Sequence, residues 1–269
     1  RWGVGSRGTT SSASGGRQHR RKGPEVDAVE QERMKRMEEE YWWHVGRRYL
    51  IRRTLEQHLG SRGSMDVLDV GCGSGRNLKL LEQFGRVTGV EPEGPGLDAC
   101  RQEGLDNVVP GLADAIPFAD DSFDLVTSLD VLEHLDDDDA GLKEIRRVLR
   151  PSGYVLITVP AYRFLWSVHD EALGHRRRYV ASEIHNLLNN NGFVVVRRTY
   201  AISFALPAIL GFRIAQGLFP PLHERGASYV EVGAGPNWLL TQALKLESRI
   251  LGRMDLPVGA SILALARKA

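Results

Sequence analysis

The fold is most strongly indicated by residues 67–77, which read VLDVGCGSGRN. An apolar run is followed by glycines at alternate positions, Gly71, Gly73 and Gly75, and then by residues that suit the start of a helix. Glycines allow a tight turn and let a ligand lie against bare backbone in front of a helix N-terminus. Arg76 occupies the place where the dinucleotide fingerprint G-x-G-x-x-G requires its third glycine. The spacing therefore predicts a strand–turn–helix ligand site and disfavours NAD as the ligand.

Apolar segments of strand length alternate with segments of helical periodicity on both sides of this stretch. The predicted strands are 67–70, 87–90, 107–109, 123–129, 154–159, a strand that begins at 193–196, and 261–266. The predicted helices are 77–84, 97–102, 140–149, 182–191 and 238–251, with a turn at 151–153 before the fifth strand. This alternation is typical of a parallel sheet, so it predicts a Rossmann-like α/β fold.

Composition divides the 269 residues into five parts. A basic tail that is predicted to be disordered precedes a helical cap, and the Rossmann-like domain is interrupted by an apolar helical insertion before its final strand. The expected boundaries are 1–24 for the tail, 25–62 for the cap, 63–202 and 259–269 for the domain, and 203–258 for the insertion.

The insertion begins with a strongly apolar stretch at 202–222. Pro207, Arg213, Pro220 and Pro221 interrupt it, whereas a membrane span needs about 20 mostly apolar residues in a row. We interpret the stretch as a lid over the site or as an element that lies on a membrane surface.

The overall charge points to no particular partner. Lys and Arg number 35 against 34 Asp and Glu, so the formal net charge is +1 and no nucleic-acid partner is expected. Cys72 and Cys100 are the only cysteines, and two so placed form neither a zinc pattern nor a disulfide framework. No segment has the pattern of a signal peptide. A cytoplasmic location is therefore expected, with peripheral membrane contact through 202–222 as an additional expectation.

Carboxylates follow three successive predicted strands. Asp69 precedes the glycines and is suited to attract a cationic ligand, whereas Glu91 ends the second strand, where a carboxylate accepts hydrogen bonds from ribose hydroxyls. Asp114 follows the third strand, where a carboxylate accepts a hydrogen bond from an adenine amino group. Open α/β sheets bind ligands in the crevice at these strand ends, so the three carboxylates are expected to line one site.

At this point the sequence resembles the class I methyltransferases that use S-adenosylmethionine (SAM), in particular the small-molecule branch with the ubiquinone and menaquinone methyltransferases. The matching segments are LDVGCGSG at 68–75, Glu91, DAIPF at 114–118, DSFDLV at 121–126, LEH at 132–134 and VLRPSGY at 148–154. The resemblance implies a mostly parallel seven-stranded sheet with an antiparallel last strand, flanked by the helical extension and the helical insertion.

The resemblance also implies the cofactor and its contacts. Gly71 and Gly73 would support the methionine part of SAM, Glu91 would hold the ribose, and Leu129 would lie near the amino group. The expected cofactor-binding residues are Asp69, Gly71, Cys72, Gly73, Glu91, Pro92, Asp114, Ala115 and Leu129. Cys72 is interpreted as a small residue that fills the turn rather than as a reactive thiol.

His134 is the candidate catalytic base, because it lies just beyond the fourth strand, where the acceptor is expected to meet the methyl group. Placement supplies much of the rate in such a reaction, and a base is needed only if the acceptor must lose a proton. Asp130, Glu133 and His134 have the spacing of one helical face and approximate the metal-binding cluster of ubiquinone O-methyltransferases. Aspartate stands there in place of glutamate, and we expect no metal. The acidic run 136–139 is interpreted as a solvated loop.

Two aromatic-rich segments are candidates for contact with the acceptor. The first is YWWH at 41–44, which either covers the site or fastens its helix to the domain. The second comprises YRFLWSVHDE at 162–171 and GHRRRY at 174–179, which either contacts the acceptor or is ordered internally by Asp170 and Glu171. The candidate substrate-binding residues are Tyr41, Trp42, His44, Tyr162, Trp166, His169, His175 and Arg178.

The sequence therefore predicts a SAM-dependent methyltransferase that acts on an oxygen, nitrogen or carbon of a small acceptor, which a hydrophobic or lipid-like molecule would suit. The alternatives are a SAM-binding protein without catalysis and, less favoured, an NAD-dependent oxidoreductase. Nucleic-acid bases are not the expected acceptor, because residues 129–132 read LDVL, whereas amino-methylating enzymes of that kind place Asp or Asn, two prolines and an aromatic residue there.

Overall fold

The computed structural model describes residues 39–60, 63–211 and 232–269. Its centre is a seven-stranded sheet with the spatial order β3-β2-β1-β4-β5-β7-β6. The strands are β1 (Met65–Val70), β2 (Gly85–Glu91), β3 (Val108–Pro110), β4 (Phe123–Leu129), β5 (Leu149–Pro160), β6 (Phe193–Ala201) and β7 (Ser261–Lys268). Strands β1 to β5 pair in parallel, whereas β7 runs antiparallel to both β5 and β6. The predicted Rossmann-like sheet with its antiparallel last strand is confirmed.

Helices cover both faces of this sheet. They are α1 (Trp42–Leu59), α2 (Leu78–Leu81), α3 (Pro95–Gln102), α4 (Asp138–Val148), α5 (Val168–Leu173), α6 (Ala181–Asn190) and α7 (Ala234–Leu251). Short 3-10 turns lie at Leu132–His134 and Arg163–Leu165. Apolar side chains of α1, α2, α3 and α7 form one core layer, and those of α4 and α6 form the other. The functional loops emerge at the edge where β1, β2, β4 and β5 end.

The described ends of the helical extension and of the insertion pack against each other. Gly46 of α1 faces Leu244 of α7 so closely that a Cβ atom at this position would overlap the leucine side chain. The Asn237 side chain joins the same pair, because its Oδ1 accepts from the Trp42 N–H at 2.8 Å and its Nδ2 donates to the Glu40 carbonyl. The helical insertion therefore completes a core layer together with the extension.

The strand and helix predictions need two corrections. Helix α2 ends at Leu81 rather than at Phe84, because Phe84 turns the chain directly into β2, and Gly85 has a φ of 155° that a side chain would oppose. Strand β5 begins at Leu149, five residues before the predicted start. The residues expected to form a separate turn lie inside the strand, at an irregularity in its pairing with β4 where Ser152 has a φ of 63°.

The predicted disordered tail at 1–24, the start of the cap and the residues 212–231 of the insertion lie outside the described residues. Within the described part of the chain, no helix combines the length and the apolar character that crossing a membrane requires.

Candidate active site

The turn after β1 has the conformation that the glycines predict. Gly71, Gly73 and Gly75 all have positive φ angles, of 68°, 58° and 80°, which residues with a side chain rarely adopt. The N–H groups of Gly71 and Cys72 donate to the Val90 carbonyl at 2.8 Å and 3.1 Å and so attach the turn to β2. A Cβ atom at Gly73 would meet nothing within 4 Å. The turn therefore offers bare backbone beside open space, as a ligand in close contact with the main chain requires.

Glu91, at the end of β2, is joined directly to this turn. One of its carboxylate oxygens accepts from the Gly73 N–H at 2.8 Å. Gly96 in α3 leaves room for the other oxygen, because a Cβ atom there would lie only 2.5 Å from it. Burial raises the pKa of Glu91, which the Gly73 hydrogen bond partly offsets. The carboxylate is thus fixed beside the turn, and one oxygen remains for the ribose hydroxyls that the sequence predicts.

Asp69 lies deeper than the sequence suggests. Its side chain is buried, and Oδ1 accepts from the Thr127 hydroxyl of β4 at 2.6 Å. No other described residue provides a hydrogen bond to Oδ2. Burial, with the nearby charge of Glu91, raises the Asp69 pKa to about 7. A group so placed acts on a ligand through its charge rather than by direct contact.

The remaining predicted cofactor residues lie on neighbouring strand ends. Leu129 is the buried last residue of β4, and Pro92 is exposed directly after β2. Asp114 and Ala115 are exposed in the loop after β3. The Cys72 side chain is buried, and burial raises its pKa well above the ordinary thiol value, which fits its interpretation as a filler of the turn.

His134 lies on the next part of the same edge, in the 3-10 turn after β4. Its ring meets the His175 ring edge to face at a centroid distance of 4.8 Å. Burial and the neighbouring His175 lower the pKa of His134, so the imidazole is neutral at neutral pH. Glu133 beside it is completely buried, and burial together with Asp130 raises its pKa far above the ordinary carboxyl value.

Asp170 orders the long loop after β5. This fully buried carboxylate accepts from Arg178 Nε at 2.8 Å and from Arg178 Nη2 at 3.1 Å, and it lies 2.9 Å from His175 Nδ1. Arg178 also donates to the Ala161 carbonyl. Burial alone would raise the Asp170 pKa, but the hydrogen bonds from His175 and Arg178 outweigh it and lower the pKa below its ordinary value. The internal ordering of this loop, one of the two alternatives from the sequence, is therefore present.

Comparisons with known proteins agree with this arrangement. A methyltransferase domain model matches residues 68–157. A malonyl-(acyl-carrier protein) O-methyltransferase from Enterobacter lignolyticus is 30% identical over 184 residues, which cover 65% of this chain and 72% of that protein. This chain belongs to the class I SAM-dependent methyltransferases. SAM is the cofactor of this family.

Other relatives match a smaller share of their own length. A methyltransferase from Streptomyces halstedii, GfsG, is 38% identical over 115 residues, which cover 38% of this chain and 40% of that protein. The chain spans 40% to 61% of the length of four such curated relatives. Among solved structures, Haemonchus contortus phosphoethanolamine N-methyltransferase 2 in complex with SAM has a TM-score of 0.52 at 20% identity, over 80% of this chain and 51% of that one.

The first aromatic segment of this methyltransferase chain is divided between the core and the edge of the sheet. Trp42 is buried and packs edge to face on Phe204 at 6.1 Å, so its position is explained by packing alone. Tyr41 lies against this core layer, half-buried. His44 is half-buried; burial and the charges of Arg47 and Arg48 lower its pKa to about 4, whereas the charge of Asp130 acts in the opposite direction.

Residues of the second segment differ in their contacts and burial. Tyr162 stacks on Phe164 and Tyr200 at 5.0 Å and 5.1 Å. Trp166 is partly exposed and its Nε1 donates to Glu171 at 3.4 Å. His169 lies in α5, half-buried, and Arg178 is buried and paired as described above. Of the eight predicted substrate-binding residues, His175 is the one in ring contact with His134.

Arg47 was not identified from the sequence, although it fixes the rim. It pairs with Asp130 and donates to the Thr158 hydroxyl at 2.8 Å, and this hydroxyl donates to Asp130 at 2.9 Å. Asp130 has a φ of 59°, which its two side-chain partners hold in place. Asp130 is thus engaged with α1 and β5 instead of joining Glu133 and His134. No local pattern could have revealed a pair that lies 83 residues apart, and the basic run at 47–48 was the only signal.

Proposed function

We propose that this chain transfers the methyl group of SAM to an oxygen, nitrogen or carbon atom of a small, hydrophobic or lipid-like acceptor. The observation that carries the proposal is the continuous edge of the sheet on which the glycine turn, Glu91 and the pair of His134 and His175 follow one another. The cofactor would occupy the first two features and the acceptor the third, so both reactants would meet at the end of β4.

In this proposal the cofactor contacts are those expected from the sequence. The Gly71–Gly73 backbone would lie against the methionine part, Glu91 would bind the ribose through its remaining oxygen, and Asp114 and Ala115 would contact the adenine. Buried Asp69 would contribute its charge from behind the turn, because a cationic sulfonium favours a nearby carboxylate.

His134 would accept the proton of an acceptor that must lose one during the transfer. Its lowered pKa leaves the ring neutral, and an imidazole must be neutral to act as a base. A sulfonium is already reactive, so an acceptor that carries no proton to lose would need only orientation from the rim.

The hydrophobic character of the acceptor is supported by apolar surface on the insertion. Trp238, Leu239, Leu246 and Ile250 on α7 are exposed, as are Leu210 and Met254 in the same insertion. Exposed apolar clusters of this kind are typical of surfaces that meet apolar ligands, proteins or membranes. Peripheral contact with a membrane would deliver such an acceptor.

The experiment has a binding stage and a turnover stage. S-adenosylhomocysteine and NAD are titrated against the purified chain by calorimetry, and we expect only the former to bind. Methyl transfer from labelled SAM is then measured over phenols, quinone precursors, amines and lipids. Binding without transfer to any acceptor would support a SAM-binding protein without catalysis, whereas binding of NAD alone would contradict the proposal.

A further inference from the structure

Three potential metal ligands meet at the rim of the sheet although they come from two different loops. Glu133 and His134 lie in the 3-10 turn after β4, and His175 lies in the loop that follows α5. One carboxylate oxygen and one nitrogen from each ring all lie within 4.8 Å of one another. His134 is exposed and Glu133 is completely buried, so the cluster extends from the surface into the interior.

Each histidine of this cluster is oriented by an acceptor at one ring nitrogen. His175 Nδ1 lies 2.9 Å from Asp170, which leaves Nε2 as the nitrogen that can bind a ligand. The His134 ring donates to the Gly174 carbonyl, the residue before His175. Metal-binding histidines are almost always held in this way, because a carboxylate or carbonyl behind the ring fixes its tautomer and orientation.

Glu133 is the member of the cluster whose side chain has no partner in the described part of the chain. Neither of its carboxylate oxygens accepts a hydrogen bond from another of the described residues, although both are buried. Burying an anionic carboxylate without donors or a cation is costly. The two nearby guanidinium groups are engaged elsewhere, Arg178 with Asp170 and Arg47 with Asp130. A metal ion between the three residues would supply the positive charge that lets this carboxyl bind as an anion.

We propose that Glu133, His134 and His175 bind a divalent first-row transition-metal ion, with Asp170 as the residue that positions His175. Two imidazoles and one carboxylate are ligands that suit Zn²⁺, Mn²⁺, Fe²⁺ or Co²⁺, whereas Mg²⁺ and Ca²⁺ favour oxygen ligands only. Three protein ligands leave coordination positions open on the side of exposed His134. An oxygen of the acceptor could occupy one, and its proton would then be released to solvent, since metal-bound His134 has no nitrogen left to accept it. This use rests on the proposed function, although metal binding itself does not.

Other acidic groups nearby are already engaged in structural contacts. Asp130 is held by Arg47 and Thr158 as described above. In the run at 137–139, Asp137 accepts from the Ala140 N–H, Asp138 from the Tyr179 hydroxyl at 2.8 Å and Asp139 from the Asn191 amide. The histidine cluster is therefore distinguished by its unengaged ligand atoms.

The test uses the full chain without a histidine tag, treated with chelator and desalted. Titration with Co²⁺ is followed by visible absorption, because cobalt bands report the type and number of ligands, and Zn²⁺ affinity is measured by competition. We expect one ion per chain. Glu133→Gln and His175→Ala should lose the bands, and Asp170→Asn should weaken binding by about 10- to 100-fold, as loss of an orienting partner does.

The matched control is His185→Ala, which removes a half-buried histidine of α6 that lies outside the cluster and pairs with Asn189. It should leave the titration unchanged. Glu133→Gln keeps the side-chain shape and places a neutral group at a buried position that has no counter-charge of its own, so it should fold, as a melting curve will show. Binding of S-adenosylhomocysteine in the same samples reports on the cofactor site separately.

The proposal is overturned if the parent chain binds no Co²⁺, or if folded His175→Ala or Glu133→Gln binds Co²⁺ as well as the parent does. It is also overturned if Asp139→Asn abolishes Co²⁺ binding while His175→Ala does not, because the ion would then bind at the acidic run 137–139.

Discussion

Asp69 and Glu91 end neighbouring parallel strands, yet their surroundings give them different chemistry. Glu91 is half-buried and bonded to the glycine turn, so a ligand in the turn can reach it. Asp69 is buried behind the turn against Thr127, and its carboxylate is exposed to neither solvent nor direct contact. At the scale of single residues, burial decides which carboxylate a ligand hydroxyl can reach and which one could act on a ligand only through its charge.

Replacing Glu91 with alanine should weaken SAM binding strongly. The change removes a charged acceptor of ribose hydroxyls and also the acceptor of the Gly73 N–H, and hydrogen bonds to charged groups contribute about 1.5–3 kcal/mol. We expect a dissociation constant raised about 10- to 100-fold in calorimetry. Glu91→Gln should give a smaller loss, since its amide oxygen still accepts from Gly73. The control is Glu93→Ala, which removes an exposed partner of Arg101. An unchanged affinity for Glu91→Ala would contradict the proposed cofactor position.

The raised pKa of Asp69 predicts a pH dependence of stability. Its folded pKa of about 7 exceeds the ordinary value of 3.8, so the folded chain binds the proton more tightly than the unfolded chain. This contribution to stability is complete below pH 3.8 and is lost as the pH rises through 7. The Asp69→Asn variant has no carboxyl group at this position, so it lacks this pH-dependent contribution to stability. Relative to the parent, the variant should therefore gain on the order of 2–3 kcal/mol in unfolding free energy between pH 5 and pH 8.

Denaturant unfolding without SAM at several pH values measures this difference. Asp66→Asn is the control, because hydrogen bonding to Arg150 lowers the Asp66 pKa and keeps this group charged over the whole range. The difference in unfolding free energy between Asp66→Asn and the parent should stay the same from pH 5 to pH 8. Parallel stability curves for Asp69→Asn and the parent would show that Asp69 is already ionised in the folded chain.

At the scale of elements, the loop of residues 161–179 depends on a single buried ion pair. Arg178→Ala leaves Asp170 charged and buried with His175 as its remaining side-chain partner outside its own helix cap, and breaking a buried pair in this way costs about 3–5 kcal/mol. We expect a correspondingly lower melting temperature and looser histidine geometry at the rim. Arg163→Ala breaks an exposed pair with Glu183 in the same loop and should cost less than about 1 kcal/mol. Equal melting temperatures for the two variants would mean that the Asp170 pair does not stabilise the loop.

The elements themselves were largely predictable because their signals are local. Strand β4 was predicted with its observed bounds, since Phe123, Leu125, Val126 and Leu129 give a mainly apolar segment of strand length between polar residues. Helix α2 was predicted too long because its last turn is replaced by a tight turn at Phe84 and Gly85, whose shape depends on contact with Met65 of β1. Strand ends and turn shapes depend on neighbours that the local pattern does not contain.

In the candidate site, the features with a local sequence pattern were predictable and those that depend on distant contacts were not. Glycine spacing and three carboxylates at strand ends indicated the cofactor side, because every parallel strand of such a sheet ends at the same edge. The pairing of His134 with His175 was not predictable, since the two residues lie 41 positions apart and meet only through the loop that Asp170 folds. The sequence placed Asp130 beside Glu133 by helical spacing, whereas the turn is a 3-10 turn and Arg47 holds Asp130 elsewhere.

At the scale of the whole molecule, α1 and α7 pack together on one face of the sheet and leave apolar side chains of α7 exposed. Trp238 and Leu239 are 63% and 62% exposed, so their side chains are not part of the packed core. The apolar sequence before α7 includes Phe212 and Phe219, which lie outside the described residues. Both groups belong to the insertion between β6 and β7, which is why the proposal assigns contact with an apolar acceptor or a membrane surface to this part of the chain.

Replacing Trp238 and Leu239 together with serine should therefore reduce association with liposomes, and so should the double replacement of Phe212 and Phe219. Large apolar side chains contribute about 1.5–3 kcal/mol each when fully removed from water, so partial insertion of two should change the partition coefficient by about tenfold or more.

The matched control is Val194→Ser with Val196→Ser, which removes two exposed apolar side chains from β6 instead of from the insertion. Liposome sedimentation, S-adenosylhomocysteine calorimetry and turnover of an apolar acceptor are compared for all variants. SAM-site affinity should stay unchanged in each of them, because the replacements are made in the insertion and in β6, whereas the expected cofactor contacts are at the ends of β1, β2 and β4. If both insertion variants sediment with liposomes like the parent, the apolar surface serves protein packing, and the proposal of a membrane-delivered acceptor loses its support.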